Sequence, residues 1–257
     1  MTIINRRQED ILKELNQKGY VNVVDLCETL NVSSVTIRKD LNFLENQKLL
    51  HRTHGGASKQ PIYAFERDVN DKEGLQVEQK KQIAEEAVKY ISNHDYIILG
   101  SGSNIHYLSQ VIKGFQKLTV LTPSLKVALE LSKEINIDTI QLGGDIRNSS
   151  TSAVGPIAEA TLSQFSCNKL FLGTDGVHLD FGLSTSNALE AHLNQAMIEV
   201  AEKVIVLADS TKMNVRGFGK ICDLNKIDVL ITDAGIDLET KTNLEEMGID
   251  VVIAGKL

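Results

Sequence analysis

The chain has 257 residues, a formal net charge of −7 and no run of about 18 apolar residues of the kind that crosses a membrane. The first ten residues are polar, unlike a secretory signal, so we expect a cytoplasmic protein with no membrane partner. The three cysteines have no CxxC spacing and the six histidines form no HxxxH pattern. We therefore predict no disulfide, no metal and no cofactor.

Charge is unevenly distributed along the chain. Residues 1–60 contain nine Lys and Arg against seven Asp and Glu, whereas the remainder contains eighteen against twenty-seven. A chain of this length can hold two domains of ordinary size, so we predict a small module at residues 1–57 and a larger acidic domain. Any binding to nucleic acid must then come from a local basic patch on the small module.

Three helices are predicted in the small module. Residues 7–17 and 24–30 have amphipathic spacing, and a turn at Asn31-Val32 leads into the segment VSSVTIRKDL, residues 32–41. Ser33 is a suitable N-cap for a third helix. The apolar stripe of this helix consists of Ile37, Leu41 and Leu44.

The face opposite that stripe has the composition of a recognition helix. It offers positive charge for phosphates and donors for base edges, as a helix in the major groove requires. The candidate DNA-binding side chains on this helix are Ser34, Val35, Thr36, Arg38, Lys39 and Asn42. The alternative is that Arg38 and Lys39 belong to an ordinary solvated helix face.

A β-hairpin is predicted directly after the third helix. Residues 48–57 alternate apolar and polar side chains and end at a glycine pair, which is typical of a short hairpin. Arg52 and His54 would lie on this wing and extend the DNA-binding surface. We expect Gly55 and Gly56 to allow either a turn with positive φ or a close approach to a phosphate.

Residues 6–57 resemble the DNA-binding module of the DeoR family, bacterial transcriptional regulators of sugar metabolism. The resemblance extends from RRQEDIL through VSSVTIRKDL to HRTHGGA, with Lys39 where members often have Arg. It implies a winged helix-turn-helix that binds operator double-stranded DNA. It also implies a repressor that leaves its operator when a phosphorylated metabolite binds the other domain.

Residues 58–76 are polar and lack periodicity, so we predict a linker. Residues 77–257 then alternate between helical and apolar segments, with a helix at 80–91. Strands are predicted at residues 96–99, 118–122, 138–142, 169–173, 203–208, 228–232 and 250–253. Such runs are typical of a parallel sheet covered on both faces, a Rossmann-like α/β domain whose ligands bind at the carboxyl ends of the strands.

Loops of suitable chemistry follow these strands. The small residues of GSGSN at 100–104 precede a helix, where backbone N–H groups can bind an anion. Carboxylates can accept hydrogen bonds from sugar hydroxyls, and Lys or Arg can neutralise a phosphate. The candidate ligand-binding residues are Ser101, Gly102, Ser103, Asn104, Gly144, Arg147, Asp175, Gly176, Asn187, Glu190, Asp209 and Lys212. For each residue singly, a capping or turn role remains open.

These loops also resemble the sensor domain of the DeoR family, which is itself similar to ribose-5-phosphate isomerase and glucosamine-6-phosphate deaminase. The resemblance implies that the first loop holds phosphate and that the TDG and DSTK loops face the sugar. Gly100 stands where the family usually has Asp, and Ser103-Asn104 where two threonines are usual, which leaves the effector's identity open. The segment at residues 169–185 looks most like regulators of amino-sugar or polyol use.

Two functions follow from these patterns. In the first, a homo-oligomer, a dimer or tetramer, binds its operator and is released by a phosphorylated sugar, amino sugar or polyol. In the second, the larger domain is a sugar-phosphate isomerase or deaminase with a DNA-binding appendage, in which Asp175 would be the base and Lys212 an electrostatic clamp. The first is favoured because the loops lack a clear second acid or base, so we assign no catalytic residue.

Overall fold

The computed structural model describes residues 4–47, 49–53, 55–58 and 68–255. The chain divides into two compact units, Met1–Tyr63 and Ala64–Leu257. In the described part of the chain, no helix is long and apolar enough to cross a membrane.

The N-terminal unit contains three helices and a small antiparallel sheet, as predicted for a winged helix-turn-helix. The helices are α1 (Arg6–Lys18), α2 (Val23–Leu30) and α3 (Ser34–Asn46). The strands are β1 (Tyr20–Asn22), β2 (His51–Thr53) and β3 (Gly56–Ser58), in the order β1-β3-β2. Strand β1 has only three residues, and the sequence interpretation missed it.

The helix ends of this unit follow from their capping residues. Asn5 forms a capping box with Gln8 at the start of α1. Asn31 adopts the left-handed conformation that ends α2, and Ser33 accepts a hydrogen bond from the backbone N–H of Thr36 at the start of α3. The core side chains include Ile11, Leu15, Leu26, Ile37, Leu41 and Leu44, all essentially inaccessible to solvent. The predicted stripe of α3 is therefore its buried face.

Gly56 is required by strand packing. A Cβ atom at this position would lie 1.8 Å from the backbone oxygen of Val21 on β1, so any side chain would force the strands apart. Neither Gly55 nor Gly56 has positive φ. The expected left-handed turn is therefore wrong, and the close approach at Gly56 is to another strand.

Asp40 joins the first and third helices. Its carboxylate is 5% exposed and accepts hydrogen bonds from Arg7 Nε at 2.5 Å and Gln8 Nε2 at 3.0 Å.

The substitution Asp40→Asn should lower the local stability of this unit by about 2 kcal/mol, because hydrogen bonds to charged groups contribute about 1.5–3 kcal/mol each. Amide hydrogen exchange of α1 and α3 in the full chain measures this. Unchanged exchange in both helices would contradict it.

The C-terminal unit is an α/β domain. Its helices are α4 (Val69–Glu73), α5 (Val77–Ala87), α6 (Ser103–Val111), α7 (Leu125–Leu131), α8 (Pro156–Leu162), α9 (Ala188–Glu199) and α10 (Leu238–Glu246). Short 3₁₀ segments occur at Val88–Tyr90, Ser210–Lys212 and Leu224–Lys226. The strands of the main sheet are β4 (Tyr96–Leu99), β5 (Leu118–Thr122), β6 (Ile137–Gln141), β9 (Cys167–Gly173), β12 (Ala201–Leu207), β14 (Val229–Thr232) and β15 (Asp250–Ile253).

The seven predicted strands form one parallel sheet. Its order is β15-β14-β12-β9-β4-β5-β6, and every adjacent pair is parallel. Side chains on alternate positions of one strand enter different cores: Ile98 lies in one apolar cluster, and Ile97 and Leu99 lie in the other. Burial on both faces explains why these strands are continuous apolar runs.

Two small antiparallel sheets were not predicted. One pairs β7 (Asp145–Arg147) with β8 (Ser152–Val154). The other contains β10 (Gly176–His178), β11 (Gly182–Thr185) and β13 (Gly219–Cys222). Both carry loop residues toward the carboxyl ends of the main strands.

Helix α4 lies within residues 58–76, where the sequence interpretation expected only a linker. The backbone N–H of Val69 donates to the Ser149 oxygen at 2.7 Å. The Glu73 carboxylate lies 2.8 Å from His106 Nδ1 and accepts a hydrogen bond from Lys126 Nζ at 2.7 Å. The part of the predicted linker from residue 68 onward therefore packs on the C-terminal unit, and residues 59–67 lie outside the described residues.

Candidate functional site

A polar cavity of about 50 Å³ opens at the carboxyl ends of β4 and β9. The loop after β4 and the end of β9 meet there closely, since a Cβ atom on Gly173 would lie 2.8 Å from the Ser101 backbone oxygen. The cavity is lined by Val69, Lys72, Ser101, Gly102, Ser103, Asn104, Arg147, Ser149, Ser150, Gly173, Thr174, Asp175, Thr185, Ser186, Glu190, Asn194 and Lys212.

One wall of the cavity is the start of helix α6. Gly102 is the N-cap residue, with φ of 107°, and within the described residues no side chain caps this helix end. The first N–H groups of a helix lack intrahelical partners and carry partial positive charge. Ser101 and Ser103 are buried beside them. This wall can therefore donate several hydrogen bonds to an anion.

A second wall is built around Glu190. Its carboxylate pairs with Arg147 Nη1 at 2.5 Å and accepts hydrogen bonds from Ser101 Oγ at 2.9 Å and Thr185 Oγ1 at 3.0 Å. Both members of the ion pair are largely buried. This network connects the loop after β4, strand β7 and helix α9 in one rigid group.

Asp175 is the second carboxylate of the cavity lining. It pairs with Lys72 Nζ at 2.7 Å and accepts hydrogen bonds from Ser186 N at 3.1 Å and Thr185 Oγ1 at 3.2 Å. Burial raises the pKa of Asp175, but the charges of Lys72 and Lys212 and the hydrogen bonds from Lys72 and Ser186 outweigh it, and the pKa falls to about 2. The group is therefore a permanent acceptor at physiological pH.

The low pKa of Asp175 predicts an acid-sensitive contribution to stability. Because the folded-state pKa is below the unfolded value of about 3.9, the contribution is complete above about pH 4 and is lost as the pH falls toward 2. Thermal melts at pH 5 and pH 3 should show a larger drop for the wild-type protein than for Asp175→Asn. Equal drops in both proteins would contradict the assignment.

Eight of the twelve candidate residues line this cavity: Ser101, Gly102, Ser103, Asn104, Arg147, Asp175, Glu190 and Lys212. The other four are described by the structure but do not line it. Asn187 caps α9 by accepting from the N–H groups of Leu189 and Glu190. Asp209 accepts from the Thr211 backbone N–H and hydroxyl.

The remaining two candidates, both glycines, have packing roles. A Cβ on Gly144, which has φ of 137°, would lie 2.6 Å from the Val154 oxygen. A Cβ on Gly176 would lie 2.3 Å from the Val215 oxygen. Each of these four residues has a local capping or packing contact in the structure, and its role in ligand binding stays a prediction.

The sequence interpretation missed several lining residues, including Lys72 and Asn194. Asn194 lies one turn after Glu190 on α9. This i, i+4 spacing places both side chains on the same face of the helix and could have identified Asn194 from the sequence. Lys72 had no such signal, because it lies in a polar segment without periodicity. Asn104 Oδ1 is buried and has no hydrogen-bond partner among the described residues, which leaves an acceptor for a bound ligand.

The candidate DNA-binding side chains lie mostly on the solvent face of α3. Ser34, Arg38, Lys39 and Asn42 are exposed, Val35 is 61% exposed, and Thr36 is half-buried. The Thr36 hydroxyl lies 3.0 Å from Ser33 Oγ, so it also belongs to the helix cap.

Arg52 connects the wing to the recognition helix. Its Nη1 donates to the backbone oxygen of Arg38 at 3.3 Å, and burial lowers its pKa from the ordinary arginine value. It therefore supports the orientation of α3 as well as adding charge. His54 lies outside the described residues.

The folds of the two units and the cavity define a DNA-binding regulator with a ligand-sensing domain. Residues 7–60 match the DeoR-like helix-turn-helix domain, and residues 75–234 match the DeoR C terminal sensor domain. The chain therefore belongs to the DeoR family of transcriptional regulators. It is not an enzyme, which removes the isomerase or deaminase alternative.

Two relatives match this chain over nearly its whole length, and a solved structure matches about half of it. A putative aga operon transcriptional repressor of Escherichia coli O157:H7 is 36% identical over 100% of this chain and 96% of its own length. An uncharacterized HTH-type transcriptional regulator of Bacillus subtilis (strain 168) is 36% identical over 97% and 96%. A D-ribose-5-phosphate isomerase in complex with phospho-erythronic acid is 20% identical, with a TM-score of 0.41 over 53% of this chain and 54% of that one.

Proposed function

We propose that the protein represses a carbohydrate-utilisation operon and is released from its operator by a phosphorylated sugar, amino sugar or polyol. The observation that carries this proposal is the presence of anion donors and a fixed carboxylate in one cavity. The lining includes the start of α6, which no side chain caps within the described residues, and the ionised carboxylate of Asp175. A molecule that has both a phosphate and hydroxyl groups complements both features.

The phosphate side is supported by charge and hydrogen-bond donors. Ser101 and Ser103 lie at the start of α6, and Arg147 and Lys212 line the same cavity. A phosphate carries about −1.5 to −2 charge and three strong acceptor oxygens. Backbone N–H groups, hydroxyls and cations together match such a group.

The sugar side is supported by acceptors that are already oriented. Asp175 is held by Lys72 and the Ser186 N–H, Glu190 by Arg147 and Ser101, and the Thr185 hydroxyl lies within hydrogen-bond distance of both carboxylates, so the acceptors are oriented before a ligand arrives. Asn104 adds an unpaired acceptor. Hydroxyl or amino groups of the effector would donate to these oxygens, and a ligand that lacks them would leave the acceptors unpaired.

The sign of regulation is inferred from relatives. The Escherichia coli relative is a putative aga operon transcriptional repressor, and a lactose phosphotransferase system repressor of Staphylococcus epidermidis is 32% identical over 93% of this chain, which supports repression of a carbohydrate operon. We further propose a dimer or tetramer, because two recognition helices one DNA turn apart read a palindromic operator more strongly than one.

A thermal-shift screen tests the binding half of the proposal. The panel contains hexose 6-phosphates, the corresponding amino-sugar phosphates, hexitol phosphates, the same compounds without phosphate, and inorganic phosphate. We expect at least one phosphorylated compound to raise the Tm and its unphosphorylated counterpart to have a much smaller effect. Equal shifts for both members of every pair, or no shift with any compound, would contradict a sugar-phosphate sensor.

A further inference from the structure

Lys72 lines the cavity although it comes from α4, which precedes the first strand of the main sheet. Its ammonium group lies 2.7 Å from Asp175 Oδ1, and the two side chains are 22% and 11% exposed. The ion pair therefore places a cation directly on the carboxylate that would otherwise bind an effector hydroxyl.

Lys72 lies in the polar cavity directly beside Asp175. An effector hydroxyl or amino group that binds Asp175 Oδ1 has to replace the Lys72 ammonium group at that oxygen. Arg147 and Glu190 are held in the hydrogen-bond network around the start of α6, whereas Lys72 belongs to the short helix α4.

Helix α4, which carries Lys72, is a five-residue helix held by polar contacts. Lys80 Nζ donates to the backbone oxygens of Lys72 and Leu75, and Tyr107 donates its hydroxyl to the Glu73 oxygen at 3.2 Å. Of its five residues, only Val69 is an apolar side chain in the core. Helix α4 therefore has fewer buried apolar contacts than the strands behind it, which is typical of elements with lower local stability.

We propose that Lys72 is an effector-binding residue and that the Lys72–Asp175 pair is the ligand-free arrangement of the site. The effector replaces both halves of the pair: a hydroxyl or amino group donates to Asp175, and an effector oxygen accepts from Lys72. This inference rests on the proposed function.

The charge balance of the cavity supports a direct role for Lys72. Its ionisable lining groups are Lys72, Arg147, Lys212, Asp175 and Glu190, which gives three cations against two anions. A bound phosphate dianion changes this net charge to about −1. Without Lys72 the net charge of the cavity with bound phosphate would be about −2. Uncompensated negative charge in a partly buried site is energetically unfavourable.

The test compares Lys72→Met with a matched control, Lys169→Met. Lys169 pairs with Asp95 at 2.5 Å, and the two side chains are 21% and 14% exposed, nearly the same as in the Lys72 pair. This pair lies at the amino ends of β9 and β4, away from the carboxyl ends where the cavity opens. The probes are inorganic phosphate, glucitol 6-phosphate and galactosamine 6-phosphate, titrated calorimetrically into the full chain.

We expect Lys72→Met to weaken binding of the sugar phosphates at least about tenfold and Lys169→Met to leave it within about twofold. Lys72→Arg retains the positive charge and should therefore retain most of the affinity for the sugar phosphates. This second variant keeps the inference testable if Lys72→Met folds poorly. In hydrogen exchange, α4 amides should exchange faster in ligand-free Lys72→Met than in Lys169→Met.

The outcomes separate this inference from the proposed function. If no probe binds the wild-type protein, the proposed function fails and the inference fails with it. If the probes bind and Lys72→Met binds them as tightly as Lys169→Met does, the inference alone is wrong. If the α4 amides of ligand-free Lys72→Met exchange as slowly as those of the wild-type protein, the ion pair does not hold α4 in place. That result would also contradict the inference.

Discussion

Replacing Arg38 with alanine should reduce specific operator affinity by about one to two orders of magnitude while leaving the Tm nearly unchanged. The Arg38 side chain is on the exposed face of α3, opposite the buried Ile37, Leu41 and Leu44. A bidentate arginine contact to a base is worth about 1–3 kcal/mol of discrimination, and a fully solvated side chain adds little to stability. The measurement is fluorescence anisotropy with an operator selected from random duplex DNA by the wild-type protein.

Lys39→Ala is the comparison variant for this experiment. If Lys39 contacts a phosphate, its loss should weaken binding to all sequences alike and reduce the slope of log affinity against log salt by about one. Arg38→Ala should instead relax sequence preference at one base position. Wild-type operator affinity in Arg38→Ala would show that α3 is not the recognition helix.

Replacing Ser101 with aspartate should yield a repressor that binds its operator and no longer responds to effector. Ser101 Oγ donates to Glu190 Oε1 at 2.9 Å, beside the start of α6. A carboxylate there faces both Glu190 and the incoming phosphate, and like charges about 4 Å apart cost about 4 kcal/mol at an effective dielectric constant of 20. We expect effector affinity to fall by about 100-fold or more in calorimetric titration.

Ser101→Ala provides the control for this substitution. It removes one hydroxyl donor without adding charge, so effector affinity should fall by about tenfold at most. Both variants should retain wild-type operator affinity without effector. Retained effector binding in Ser101→Asp would remove the loop after β4 from the site.

The sequence predicted the large elements because their patterns are physically unambiguous. The buried parts of β4 and β12, residues 97–99 and 204–207, are covered on both faces and are continuous apolar runs. Ser33 and the stripe of Ile37, Leu41 and Leu44 marked the start and the inner face of α3. Helix α4 escaped detection because five residues with one buried apolar side chain carry no periodicity.

The sequence predicted those candidate site residues that lie in loops at the carboxyl ends of parallel strands, because such loops come together in the fold. Ser101, Asp175 and Lys212 follow different strands. They line one cavity because the carboxyl ends of parallel strands lie at the same end of the sheet. Asn187 and Asp209 were also at strand ends, but their side chains satisfy local backbone N–H groups instead. Lys72 could not be predicted, since its pairing with Asp175 joins residues 103 positions apart.

The most direct test of the account is operator affinity with and without the sugar phosphate that gives the largest thermal shift. Anisotropy titrations at fixed salt should show the operator Kd rising about 5- to 150-fold at saturating effector, the usual size of coupling between two sites. The unphosphorylated counterpart should leave the Kd unchanged. An operator Kd that stays constant or falls at saturating effector would contradict release of the repressor by a sugar phosphate.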